Sequence, residues 1–370
     1  MVKGMARDGD GRRGGRGSAR RRIQWLAGFV VLLAAAYTGL WFFLAGRLDD
    51  GAEAALVEAR AQGTEIECAG RDVRGYPFRL GLACDAVALQ SANGAAVEAG
   101  AFRSAAQIYR PGLVVSELDG PLTLNAPGAS LNAEWDLARA STRFGTERLN
   151  LGTLEVDDVA ATLEGPNGPV TLAIARILAS ARPNGADLDA SVTMDGLDVG
   201  PVAGRDAPPV NLFLDATLSD AAGALSYDNR PVESLRGRNV TLRDLDLAIV
   251  EGGRVEVGGA FAVDADGLAT GEIEVAIVDL PAIIDTLSQI APEAADTLRT
   301  IEGVLSGAGG GAAEGLLASI LGGGDDTEGA PPETEGNETS GDSPRRITLV
   351  LDRGRIRLGV IPVGSLPPLP

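Results

Sequence analysis

The chain has 370 residues, 45% hydrophobic and 22% charged, with 50 glycines and a formal net charge of −19. That is enough apolar sequence for a sizeable core, while the acidic balance disfavours nucleic acid as a partner. There is no histidine, which removes the commonest general base and metal ligand, and with it Ser-His-Asp or Cys-His catalysis and every His-containing zinc site.

The charge is unevenly placed. Residues 1–22 hold eight basic residues (Lys3, Arg7, Arg12, Arg13, Arg16, Arg20, Arg21, Arg22) and two acids (Asp8, Asp10), so this tail is +6 and the remainder −25. Ile23 to Leu44 carries no charge over 22 residues, about 33 Å as a helix, enough to cross a bilayer. Trp25 and Trp41 lie near its ends, Arg20–Arg22 precede it, and Asp49, Asp50 and Glu53 follow. The positive-inside rule predicts a transmembrane anchor over 23–45, with the N-terminus cytoplasmic and the body periplasmic. The competing reading is a signal peptide cleaved after Ala36 or Ala45; the length of the apolar run favours an uncleaved anchor. Residues 46–62, rich in Ala, Leu and Glu, predict a linker helix that Gly63 can close.

Cys68 and Cys84 are the only cysteines and bracket a Gly-Tyr-Pro-Phe segment. A three-residue turn at Gly75–Pro77 pairs Arg74 with Phe78, Asp72 with Leu80, Gly70 with Leu82, and Cys68 with Cys84. Cross-strand neighbours are close enough for a disulfide, which persists outside the cytoplasm. This register sets Asp72 and Arg74 against an apolar strand, so a bulge or slip that turns Val73 inward is the alternative.

From there the hydrophobic period is two. Leu122, Leu124, Leu131, Ala133, Trp135 and Leu137 alternate with polar residues, as do Leu149, Leu151, Leu154 and Val156. Short strands separated by Gly, Pro, Asn and Asp turns predict a β-rich body over 63–321. In its clearest hairpin, Val255, Val257, Phe261 and Val263 share a face with Ile273, Val275 and Ile277 across a turn at Asp264–Gly267; Glu256, Glu272 and Glu274 point the other way. Asp264-x-Asp266-Gly267 lacks a glutamate at loop position 12, where Val275 stands, and reads as a turn, not a calcium loop.

The period then becomes helical: Ile283, Ile284, Leu287 and Ile290 fit one face, and further helices are predicted up to residue 321. Residues 322–344 are acidic and Gly/Pro-rich and predict a disordered loop. Ile347, Leu349 and Leu351, then Ile356 and Leu358 about an Arg353-Gly354 turn, predict C-terminal strands (345–370) docking on the sheet.

The arginine-flanked anchor, "VRGYPFRLGLACDAVAL", the alternating strands and the closing "GRIRLGVIPVGSLPPL" together resemble domain-of-unknown-function family 2125, related to AsmA-like envelope proteins, from about Arg22 to Pro370 apart from the acidic loop. The resemblance implies a Gram-negative inner-membrane protein whose β-rich periplasmic body is a long curved antiparallel sheet with an AsmA-like apolar groove for lipid acyl chains and a few covering helices. It supplies no catalytic residues.

Three functions are compatible with these features. The first binds or hands on phospholipid in envelope maintenance, with Val255, Val257, Phe261, Val263, Ile273, Val275 and Ile277 lining the groove; alternatively these residues are core beneath the helices after Leu280. The second is a structural or assembly partner of envelope proteins, working through a free sheet edge or the acidic loop. The third, catalysis by Asp157-Asp158 or Asp325-Asp326, is disfavoured because strand neighbours face opposite ways and solvated acids explain both pairs. The expectation is a non-enzyme with no cofactor, metal or nucleic acid.

Overall fold

The computed structural model describes residues 16–166, 168–198, 208–227, 234–250, 252–290 and 345–369. The helices expected within 291–321, the acidic loop at 322–344 and Asp325-Asp326 lie outside the described residues.

The first described element is one helix, α1 (Arg16–Ala61). The uncharged run passes without proline into the Ala/Leu/Glu segment, so the span and the linker form a single rod, which Gly63 ends at φ +85°. Among the described residues it is the one helix long and apolar enough to cross a membrane.

The rest of the described residues are mainly β: twenty strands in one antiparallel sheet. They are β1 (Thr64–Ala69), β2 (Asp72–Arg74), β3 (Arg79–Cys84), β4 (Ala86–Ser91), β5 (Ala96–Ala99), β6 (Phe102–Gln107), β7 (Arg110–Leu118), β8 (Leu122–Ala126), β9 (Ala129–Glu134), β10 (Leu137–Phe144), β11 (Leu149–Gly165), β12 (Gly168–Asn184), β13 (Asp187–Leu197), β14 (Val210–Leu218), β15 (Asn239–Ile249), β16 (Arg254–Val263), β17 (Ala269–Val278), β18 (Arg345–Asp352), β19 (Arg355–Leu358) and β20 (Ile361–Ser365). A second helix, α2 (Leu280–Ile290), follows β17.

The registers reveal a simple meander. β1 pairs with β4 and β2 with β3 with no change of register across Gly70–Arg71, so 64–74 and 79–91 form one bent hairpin. β4 and β3 likewise pair with β5 and β6 in one register. β7–β8 and β9–β10 continue the series, the latter alongside the uninterrupted β11. From β11 to β20 each strand pairs with the next.

A crease therefore crosses the first strands at Gly70–Arg71, Asp85, Gly100–Ala101, Asp119–Pro121 and Trp135–Asp136, and reaches Asp158, whose φ is +54°. Several Gly and Asp positions expected to be turns lie at this crease, inside long strands. Backbone bonds continue through it: Asp85 N donates to Ala69 O at 2.7 Å and Asp136 N to Asp157 O at 3.1 Å. Two of these positions require glycine: at Gly70 (φ +63°) an added Cβ would lie 2.0 Å from Asp85 Oδ2, and at Gly100 2.7 Å from Asp119 O.

The expected register of the first hairpin is corrected. Arg74 pairs with Gly81 and Asp72 with Ala83, while Cys68 pairs with Val87. The turn is longer, with Arg79 N donating to Gly75 O at 2.8 Å. The slip sets half-buried Val73 against Leu82 and leaves Asp72 and Arg74 exposed, as the apolar face demands. Cys68 and Cys84 are nonetheless disulfide-bonded, with Cα atoms 5.2 Å apart. They are not direct cross-strand partners: the bond runs diagonally across the crease from β1 to β3.

The C-terminal strands join the sheet, Ile273 pairing with Leu349 and Val275 with Ile347. Arg353 (φ +47°) and Gly354 (φ +79°) make the two-residue turn of the β18–β19 hairpin.

Candidate functional site

The candidate site is one face of the sheet. Following pairs strand to strand, Ala138 meets Val156, then Ile177, Met194, Leu212, Leu247, Val255 and Ile277. The next parallel row runs Ala140, Leu154, Ala179, Val192, Leu214, Leu245, Val257, Val275 and Ile347. Neither row contains a polar side chain. The period-two alternation of each strand produces them, and the antiparallel register aligns them. Most of their members are half-buried, and Leu154 remains 43% exposed.

A bulge keeps the rows continuous. Between Leu242 and Leu245, β15 carries one more residue than β14 and β16. Both leucines thus stay on the apolar face while Arg243 reaches the other. Opposite the bulge, Gly259 has φ +145°, and a Cβ there would come 2.3 Å from Glu272 O.

The seven lining candidates all lie on this face. Val255 pairs with Ile277 and Val257 with Val275, while Ile273 meets Gly259 and Phe261 meets Gly271. Val263 is buried against Ala269; the other six are half-buried. α2 follows at the far end of this hairpin. Asp279 caps it, its Oδ1 accepting from Ala282 N at 3.2 Å, and a Cβ on Gly253 would come 2.4 Å from Ile283 Cγ1. The large apolar groups of β11 to β15 were not among the lining candidates, although the same alternation marks them; their membership depends on register across the bulge.

The reverse face is charged. Arg103 bonds Asp119 at 2.6 and 2.7 Å, Arg139 bonds Glu117, Arg176 bonds Glu155, and Arg346 reaches Glu274 at 3.2 Å. At its centre, nearly buried Asp189 accepts from Thr217 Oγ1 (2.7 Å), Arg243 Nη1 (3.1 Å) and Arg182 Nη2 (3.2 Å). The Thr217 hydroxyl, helped by Arg243, holds its carboxyl below the usual carboxylate range despite burial. Asp246 behaves oppositely: burial pushes its carboxyl up, its Oδ1 lacks a hydrogen bond, and Arg254 Nε stands 3.4 Å away.

The hollows on this charged side include two floored by small residues and rimmed by charges. One, of about 850 Å³, is floored by Gly258, Ala260 and Ala276 among Glu256, Glu272, Glu274 and Arg346. The other, of about 580 Å³, lies between Gly81, Ala83 and Ala105 and four arginines, Arg74, Arg79, Arg103 and Arg139. Asp157 faces Arg176 at 3.6 Å, whereas Asp158 sits exposed at the crease, so the two do not converge on a reacting group. Asp264 Oδ1 is occupied by the N–H groups of Asp266 and Leu268 in its turn. Among the described residues no cluster of acidic or sulfur side chains could hold a metal ion.

No curated protein and no solved structure matches this chain. A family does match over residues 41–320, from the end of the apolar span through the whole meander to β17 and beyond, and the chain belongs to it: DUF2125, described as an uncharacterized protein conserved in bacteria.

Proposed function

We propose that α1 anchors this protein in the bacterial inner membrane with its sheet in the periplasm, and that the apolar face holds phospholipid acyl chains, as a kinship of its family to the AsmA-like proteins would imply. The observation that carries this reading is an apolar face running unbroken from β10 to β17, and on to Ile347 of β18 in its second row, with no second sheet over it among the described residues. A sheet with one apolar face ordinarily buries it against another layer; here acyl chains supply that layer. The rows contain no hydrogen-bonding side chain, which suits a ligand recognised by hydrophobic burial. The uncleaved anchor is supported by α1 itself, which bonds to the body from within the span: Trp41 Nε1 donates to Arg79 O at 2.8 Å.

Mass spectrometry of organic extracts of the purified full chain tests the proposal. Phospholipid retained through detergent exchange, in a defined ratio to protein, is the expected result. Its absence, with a stably co-purifying envelope protein instead, would favour an assembly role.

A further inference from the structure

Two turns of the sheet are fixed beside the apolar span. The β2–β3 turn grips α1 through three hydrogen bonds: Tyr37 Oη donates to Pro77 O at 2.6 Å, Thr38 Oγ1 lies 2.9 Å from Tyr76 Oη, and Trp41 Nε1 donates to Arg79 O. The Tyr76 ring meets Trp41 edge-on at 5.4 Å and stacks with Phe42 at 6.1 Å. The β6–β7 turn is tied to the first, Ile108 N donating to Phe78 O at 3.2 Å. At the two tips Tyr76, Phe78 and Tyr109 are 52%, 66% and 69% exposed.

The depth of these contacts follows from helix geometry. Counting about 1.5 Å per residue from Arg22, a hydrocarbon core about 30 Å thick ends near Phe42. Tyr37, Thr38 and Trp41 then lie within its outer end, and the turn that holds them sits at the same level. Sliding the helix until Tyr37 reaches water leaves only Ile23–Ala36, about 21 Å, to span the core. That would draw Arg20–Arg22 into the hydrocarbon.

The composition agrees. Of the fifteen aromatic residues, six lie in the span and three at these tips, so a chain otherwise poor in aromatics concentrates them where rings favour the membrane interface. Arg74, Arg79 and Arg110 flank the tips, and no acid occurs between Val73 and Cys84 or between Ser104 and Ser116, in a body of otherwise heavy negative charge.

We infer that the β2–β3 and β6–β7 turns form a membrane-docking surface: Tyr76, Phe78 and Tyr109 insert into the outer leaflet of the membrane that α1 spans, and Arg79 and Arg110 meet lipid phosphates, Arg74 being paired with Asp72 at 2.9 Å. The inference rests on the anchor reading of α1. It fixes the first strands of the sheet directly on the bilayer, without a stalk between anchor and body.

The test places the photocrosslinker benzoylphenylalanine at Phe78 or Tyr109 in the full chain, reconstituted into phosphatidylethanolamine–phosphatidylglycerol vesicles. Leu32, in the middle of the span, is the anchor control. Val170, also exposed but at the opposite end of the strands, is the water control. Retention of the Cys68–Cys84 bond checks folding. Lipid adducts at both turn positions, about tenfold above Val170, are expected for rings at the interface. Adducts at Leu32 with none above the Val170 level at either turn would overturn the docking surface while sparing the anchor. A failure at Leu32 as well would remove the anchor reading and this inference with it.

Discussion

Asp189 and Asp246 lie on the same charged face but respond oppositely to pH. The folded pKa of Asp189 lies below its unfolded value, so its stabilisation is complete above about pH 4 and disappears as pH falls through the folded value. Asp189→Asn should cost about 1–3 kcal/mol at pH 7, where it weakens the bonds to Thr217, Arg243 and Arg182. That cost should vanish in acid, as urea unfolding at a series of pH values would reveal. Asp246 has a folded pKa above its unfolded one, so it penalises the fold at neutral pH and the penalty is relieved as pH falls. Asp246→Asn should therefore be neutral or stabilising by about 0.5 kcal/mol at pH 7, with no gain in acid. Equal destabilisation by both substitutions would contradict the assigned environments.

Among the elements, the bent hairpin 64–91 shows how local chemistry and long-range geometry divide the work. Gly70 and Asp85 let the ladder turn without breaking, and the disulfide ties the two arms of the crease. Replacing both Cys68 and Cys84 with alanine should lower stability by about 2–4 kcal/mol, since the bond restricts the unfolded chain. Hydrogen exchange should accelerate first in β1 to β4, leaving β14 to β17 protected; uniform acceleration would show that the crease is not a local unit. Thiols near a turn were legible in the sequence, and so was their bond. The diagonal geometry was not, because turn length and register are set together by which side chains the face can bury.

At the scale of the whole molecule, the sheet separates an apolar surface from a charged one, and the two should respond differently to the same chemistry. Val257→Asp, in the middle of an apolar row, should reduce co-purified phospholipid about tenfold, because a carboxylate cannot be desolvated among acyl chains. Thr348→Asp, on the charged side, should leave lipid content unchanged; equal losses from both variants would argue against binding on the apolar face. Much of this architecture was legible in advance. An uncharged run beside arginines specifies a helix that can span a bilayer, and period-two alternation specifies strands with one apolar face, because both patterns are local consequences of backbone geometry. Val255 to Ile277 were recognisable as sharing a face because one short hairpin joins them. The sequence could not align Ala138 with Ile277 across eight strands, place the crease inside strands at residues that look like turns, or bring Tyr76 against Trp41. Those outcomes depend on registers and contacts between distant segments, where each bulge or added residue changes which groups meet, and only the folded chain decides them.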